Sequence, residues 1–206
     1  MISHTGIIHQ ILFPSLLWRM PGKKVYLTFD DGPHTAATPA VLDLLKKHEV
    51  RATFFLSGKN IQGREEIVRR IADEGHSIGI HAFNHSRSLA LSETKTKEEI
   101  LQTKKIIADI IHQNVRLFRP PFGFFSRKTI LAARELGCIL VMWSCLTGDF
   151  RQWTHDRVVR VSLKNLSDGA ILVYHDNDLT QRRIVDILDS VIPEIKRRGY
   201  SFGAIR

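Results

Sequence analysis

Cysteine is scarce in this chain: Cys138 and Cys145 are the two thiols among 206 residues, and they are not spaced as a CxxC pair. Two thiols cannot build a disulfide framework, so the fold must rest on a hydrophobic core, and the count leans toward a reducing compartment. Long apolar runs are missing as well. The stretch from Ile7 to Trp18 is broken by His9, Gln10 and Pro14, and crossing a bilayer takes about 20 apolar residues, so no transmembrane helix is expected. No Lys or Arg precedes that stretch and no small-residue cleavage site follows it, so it lacks the marks of a signal peptide. Residues 1–23 are instead expected to form an N-terminal extension packed on the domain, with weak membrane contact as the alternative. Cytoplasm and envelope both stay open as locations. There is no internal repeat, low-complexity tract or linker, and GxSxG, P-loop and GxGxxG motifs are absent. Serine-hydrolase, NTPase and dinucleotide-binding readings fall away with them.

What is present describes one ordinary folded domain, 43% hydrophobic and 25% charged. Lys and Arg number 30 against 21 Asp and Glu, a formal charge of +9. The basic residues are spread along the chain, and no nucleic-acid-binding motif accompanies them. They read as a solvated positive surface suited to anionic polymers nearby, with no nucleic-acid partner and a monomer expected.

Seven apolar runs alternate with helical patterns: Val25–Phe29, Ala52–Leu56, Ser77–His81, Val115–Phe118, Ile139–Trp143, Ala170–Tyr174 and Ser201–Ile205. Several are apolar at consecutive positions, as parallel strands covered on both faces should be. Thr38-Pro39 reads as an N-cap and first-turn proline, Thr96 with Glu99 as a capping box, and Ser126 as the opening of Arg127–Leu136. Arg64–Glu74, Thr154–Leu166 and Arg182–Arg198 are further helices, the last expected to kink or break at Pro193. The rhythm predicts an α/β fold with a parallel sheet. A full eightfold barrel takes about 250 residues, so an incomplete barrel is expected, with an open doubly wound sheet as the structural alternative.

In such folds the chemistry gathers where strands end. The first run leads into Asp30-Asp31-Gly32-Pro33, the third into His81 and His85, the fourth into Arg119-Pro120-Pro121-Phe122-Gly123, the fifth toward Asp149 and the sixth into His175-Asp176. Alternation along a strand places Asp30 and Asp31 on different sides, suited to two tasks, metal ligation and base. His81 and His85 are spaced i, i+4, which aligns both rings if the segment is helical. With Asp31 they make three ligands and leave one position open, the pattern of a catalytic zinc-type site. Arg119 can grip the Asp30 carboxylate, and the rigid prolines can hold the Phe122 N–H as an oxyanion donor. His175 is a proton-donor candidate whose pKa an aspartate would raise; Asp149 is the natural partner and Asp176 the weaker one. Trp143 and Tyr174 are candidates to line a cleft, as is the loop residue Trp153. Cys145 has no base beside it and reads as a small buried residue.

Thr28-Phe29-Asp30-Asp31-Gly32-Pro33, His81-Ala82-Phe83-Asn84-His85-Ser86, Arg119-Pro120-Pro121-Phe122-Gly123 and Leu172-Val173-Tyr174-His175-Asp176 resemble, in order, the signatures of carbohydrate esterase family 4, the NodB-homology polysaccharide deacetylases. The resemblance spans residues 24–206. It implies a distorted (β/α)7 barrel that removes N-acetyl groups from sugars of a peptidoglycan or chitin-like glycan with a divalent metal, zinc first, with cobalt, nickel and manganese as alternatives. It further implies Asp30 as base, Asp31, His81 and His85 as metal ligands, His175 as acid, Arg119 orienting Asp30 and Asp149 tuning His175. Pro121, Phe122, Gly123, Trp143 and Tyr174 would form the oxyanion and substrate-binding surface. The chain departs from the family pattern at Asp149-Phe150, where Asp-Trp is usual, and at Phe122, often Tyr. Two other readings use the same residues: a hydrolase of non-sugar amides, and a carbohydrate-binding protein without catalysis.

Overall fold

The computed structural model describes residues 11–164 and 166–206; the beginning of the N-terminal extension, 1–10, lies outside them. Eight strands are described: β1 (Lys24–Asp30), β2 (Thr53–Leu56), β3 (Ser77–Ile80), β4 (Leu117–Phe118), β5 (Ile139–Leu140), β6 (Cys145–Leu146), β7 (Ile171–His175) and β8 (Ser201–Phe202). Around them lie α1 (Ala37–Lys47), α2 (Gly58–Ile61), α3 (Glu65–Asp73), α4 (Glu93–Ile111), α5 (Arg127–Glu135), α6 (His155–Lys164) and α7 (Ile184–Arg197). The sheet order is β5-β4-β3-β2-β1-β7-β6, with β8 beside the start of β1, and every ladder is parallel.

The result is a curled, incompletely closed barrel wrapped by helices. Between β5 and β7 the main chain of residues 17–20 fills in. The Leu17 N–H donates to the Leu140 carbonyl at 2.9 Å, the Met142 N–H returns to Leu17 at 2.8 Å, and the Met20 N–H donates to Gly169 at 2.9 Å. β1 and β7 are buried almost throughout because both faces are covered. On the helix side Phe29 stacks on Phe54 with ring centroids 4.9 Å apart. The opposite parity sends Thr28 and Asp30 toward the barrel interior, where both meet Arg119.

Several local expectations are corrected. Ile139–Trp143 is not one strand: it leaves the ladder after Leu140 and re-enters as β6, because the chain must cross from the β4 edge to the β7 edge. Thr38 lies inside the first turn of α1, not at its cap, and its hydroxyl donates to Asp176. α4 starts earlier than the Thr96–Glu99 box, at Glu93, with Ser92 accepting the Lys95 N–H at 3.3 Å. Glu99 is recruited elsewhere, as described below. Ser126 does cap α5, in a reciprocal box with Thr129.

α7 runs unbroken through Pro193, which sits on the exposed side while Ile184, Ile187, Leu188, Val191, Ile192 and Ile195 face the core. Tertiary burial of that apolar stripe outweighs the lost N–H. Pro193→Ala is therefore expected to stabilise the fold, by up to about 3 kcal/mol, read from denaturant unfolding; a destabilised variant would show that the proline is required there.

Candidate active site

The carboxyl ends of the strands meet in register. Asp30 pairs with His175 across β1 and β7, and with Phe55 across β1 and β2. Asp30 is nearly enclosed, and its Oδ1 accepts from Arg119 Nη1 at 2.7 Å. Asp31 has left the strand at φ 80, which the short Asp side chain tolerates. That turn brings both carboxylates to one cavity, so they do not lie on different sides as alternation alone predicted.

His81 and His85 meet without a helix. Ala82 and His85 have φ of 61 and 52, so the segment is a tight loop whose rings converge at 4.9 Å between centroids. Glu99 of α4 holds this loop, accepting the Phe83 N–H at 2.9 Å, the Asn84 N–H at 2.7 Å and the Asn84 side-chain amide at 3.0 Å. Asp31 Oδ1 lies 3.1 Å from His85 Nε2 and 3.6 Å from His81 Nε2. It is buried there without a well-formed hydrogen bond.

The protonation of the cluster follows from its surroundings. His81 Nδ1 donates to the Arg119 carbonyl at 2.8 Å, leaving the Nε2 lone pair facing Asp31. Burial lowers the His81 pKa and favours the neutral ring, against the pull of Asp30. Burial alone would raise Asp31, but the adjoining His85 and the charge of His175 hold it well below the usual carboxylate range. One oxyanion and two imidazoles thus converge, with their ligand atoms within 4.8 Å of one another. The set fits a divalent cation, and the orphaned Asp31 oxygen marks where one would be held.

A second pair stands opposite. Asp149, fully buried, accepts the His175 backbone N–H at 2.7 Å and lies 2.9 Å from His175 Nδ1. Burial would lower His175, yet the Asp149 charge and hydrogen bond, with Asp31 and Asp30 beyond, push it up to about 9. Nδ1 is committed to Asp149, so Nε2 is the atom left to face the cavity.

That cavity, of about 330 Å³, is lined by Asp30, His175, the cluster, Phe122, Gly123 and Trp143, with Arg119 and Asp149 buried behind it. Gly123 has φ 68, and any Cβ there would run into the Trp143 ring. Phe122, also left-handed at φ 58, has an N–H that donates to no acceptor among the described residues. A larger cavity of about 630 Å³ lies below β3 and β4, at the opposite edge of the sheet, and holds none of these groups.

Tyr174 is corrected: it is core, stacked on Phe29 at 6.1 Å with its hydroxyl donating to Ser162 at 2.8 Å, and it does not line the cleft. Pro121 is buried beneath the loop that it starts, and Trp153 stands outside the lining. Asp176 faces Thr38, not His175, and burial raises it to about 8. Sequence reasoning missed Glu99, Asn60 on the Asp31 carbonyl and Asn177 on Asp31 Oδ2, both at 2.7 Å. The one available signal was an acid on the buried face of α4, beside Thr96, Ile100 and Thr103.

An incompletely closed parallel sheet with a cation-fitting cluster at its carboxyl edge defines a class, the metal-dependent hydrolases of α/β-barrel type. Residues 19–141 match the family model described as polysaccharide deacetylase, and the chain belongs to that family of carbohydrate-acting, metal-dependent hydrolases. It is 35% identical over 190 residues to a peptidoglycan-N-acetylglucosamine deacetylase of Bacillus cereus, covering 90% of this chain and 88% of that one. The crystal structure of the Bc1960 peptidoglycan N-acetylglucosamine deacetylase, in complex with 4-naphthalen-1-yl-N-oxidanyl-benzamide, superposes with a TM-score of 0.90 at 32% identity, over 96% and 94% of the two chains. A family 4 acetyl xylan esterase from Clostridium thermocellum, solved with a cobalt ion, superposes at 0.82 with 30% identity over 88% of each. No helix among the described residues is long and apolar enough to cross a membrane.

Arg119 has no exposed surface and supplies the charge opposite Asp30. Arg119→Met leaves that carboxylate buried without its partner and is expected to cost about 3–5 kcal/mol of stability, measured by denaturant unfolding. A loss below about 1 kcal/mol, the range of an exposed pair, would contradict this account of the site's foundation.

Proposed function

We propose that this deacetylase removes the acetyl group from N-acetylglucosamine residues of peptidoglycan, with Asp31, His81 and His85 holding the metal. One observation carries the reading: two separately anchored groups, Asp30 held by the Arg119 guanidinium and His175 by the Asp149 carboxylate, flank one cation-fitting cluster in a single cleft. One carboxylate and two imidazoles suit zinc, with cobalt, nickel and manganese as competitors.

A divalent cation held by Asp31, His81 and His85 would supply Lewis acidity, which would polarise the acetamide carbonyl and make the attacking water more acidic. The chain's own residues do the rest. Asp30 takes the proton of the water through Oδ2, because Oδ1 is held by Arg119. The unengaged Phe122 N–H donates to the developing oxyanion. His175 is cationic below a pKa of about 9 and gives its Nε2 proton to the departing amine, which would otherwise leave as a poor anion. Asp149 keeps the ring oriented and charged.

Acetate release from purified peptidoglycan, with and without chelator, tests the reading directly. Asp30→Asn and His175→Ala are expected to keep the metal and lose at least about 100-fold in kcat, whereas His81→Ala loses metal and turnover together. Turnover of Asp30→Asn at the wild-type rate would remove Asp30 from the role of base. The acid must be protonated, so kcat/KM is expected to hold as pH rises and to fall on passing about 9. Asp149→Asn removes the interaction that raises His175, so the alkaline limb moves down toward the unperturbed 6.5; an unmoved limb would assign the acid to another group.

A further inference from the structure

The chemistry above leaves one cation at the cleft unused. Arg87 opens the short turn Arg87–Leu91 that follows the His85 loop. Its guanidinium carbon stands 4.6 Å from the Phe122 ring centroid and 5.6 Å from that of Phe124, and the residue lines the same cavity as Asp31 and His85. No carboxylate pairs with it among the described residues. The two carboxylates nearest the cluster are taken, Asp30 by Arg119 and Asp31 by Asn177 and the imidazoles.

Stacking occupies the π-face of a guanidinium and leaves its in-plane N–H fork free, in the geometry that matches a carboxylate. Phe122 and Phe124 therefore hold a flexible side chain in place before any ligand arrives, which lowers the entropy lost on binding. Arg151 repeats the arrangement on the loop after β6, 4.9 Å from the Trp153 centroid and 5.7 Å from that of Phe150, a lining residue of the cleft. A second cation thus stands beside a lining residue of the cleft, in a chain of net charge +9. A glycan made of neutral N-acetylated sugars alone offers such a fork no anion.

We propose that Arg87 is a specificity-determining residue whose guanidinium binds a carboxylate on the portion of the glycan adjoining the reacting N-acetyl group. The inference rests on the peptidoglycan reading above and deepens it. Peptidoglycan has two sources of that chemistry: the lactyl carboxylate of muramic acid, free where the stem peptide has been removed, and the carboxylates of the stem peptide.

The test compares three glycans of matched length with the metal-loaded enzyme: an N-acetylglucosamine oligomer, an alternating N-acetylglucosamine–N-acetylmuramic acid oligomer without stems, and the same oligomer with stems. Arg87→Gln is expected to raise KM on a carboxylate-bearing glycan about tenfold with kcat changed less than about twofold, so that the preference for that glycan over the neutral one falls about tenfold. Arg87→Lys keeps the charge without the fork and is expected to recover part of that preference. A shift on the stem-free oligomer identifies the lactyl carboxylate, and a shift confined to the stemmed one identifies the peptide. An equal change on neutral and charged glycans, or no change on either, overturns the role of Arg87. Acetate release by the wild type from none of the three overturns the peptidoglycan reading itself and the inference with it.

Discussion

The buried guanidinium of Arg119 anchors the Asp30 side of the site. Nη1 donates to Thr28 Oγ1 and Asp30 Oδ1 on β1, each at 2.7 Å, and Nη2 donates to the Met142 carbonyl at 2.9 Å. Its main chain binds the third strand and its sequel, the N–H donating to Ile80 at 2.9 Å and the carbonyl accepting His81 Nδ1 at 2.8 Å. Phe55 of β2 covers the plane at 4.1 Å. A charge with no access to water is tolerated only when its donors are satisfied and its counter-ion is fixed. The same network therefore places Asp30, sets the tautomer of His81 and ties together the strand ends on which the cleft is built.

Around that foundation the site separates its titrating groups by environment. Asp31 is held anionic by the imidazoles around it, His81 is kept neutral by burial, and His175 is kept cationic by Asp149. Each state suits its role in the proposed hydrolysis: Asp31 and His81 as metal ligands and His175 as proton donor. The supports lie one layer out. Glu99 holds the loop of the two histidines and Asn177 the second carboxylate oxygen of Asp31, Oδ2, so the cluster is arranged before a cation enters it.

Much of this was legible in the sequence. The apolar runs of β1, β2, β3 and β7 extend over enough residues to show their burial; β1 and β7 end on polar residues of the cleft, Asp30 and His175, and β3 runs straight into His81. β6 was not legible, because two residues carry no periodicity. The Thr96–Glu99 box pointed to the wrong start for α4 because the Glu99 carboxylate binds two loop N–H groups in preference to a cap. Asp31 was placed by its neighbours in the motif, but its left-handed φ, which turns it beside Asp30, is a property of the folded turn. Asn177 meets Asp31 across 146 positions, a proximity that no local pattern encodes. Tyr174 shows the converse: beside His175 in sequence, it lies on the other face of β7, since neighbours in a strand point to opposite sides.

The central claim is that one cation is held by Asp31, His81 and His85 and that deacetylation depends on it. Anomalous diffraction from crystals grown with zinc tests it most directly. The account predicts a single strong peak about 2.0–2.2 Å from an Asp31 carboxylate oxygen and from Nε2 of both histidines. A peak held by other residues, or no peak in crystals of protein that still releases acetate, would contradict it.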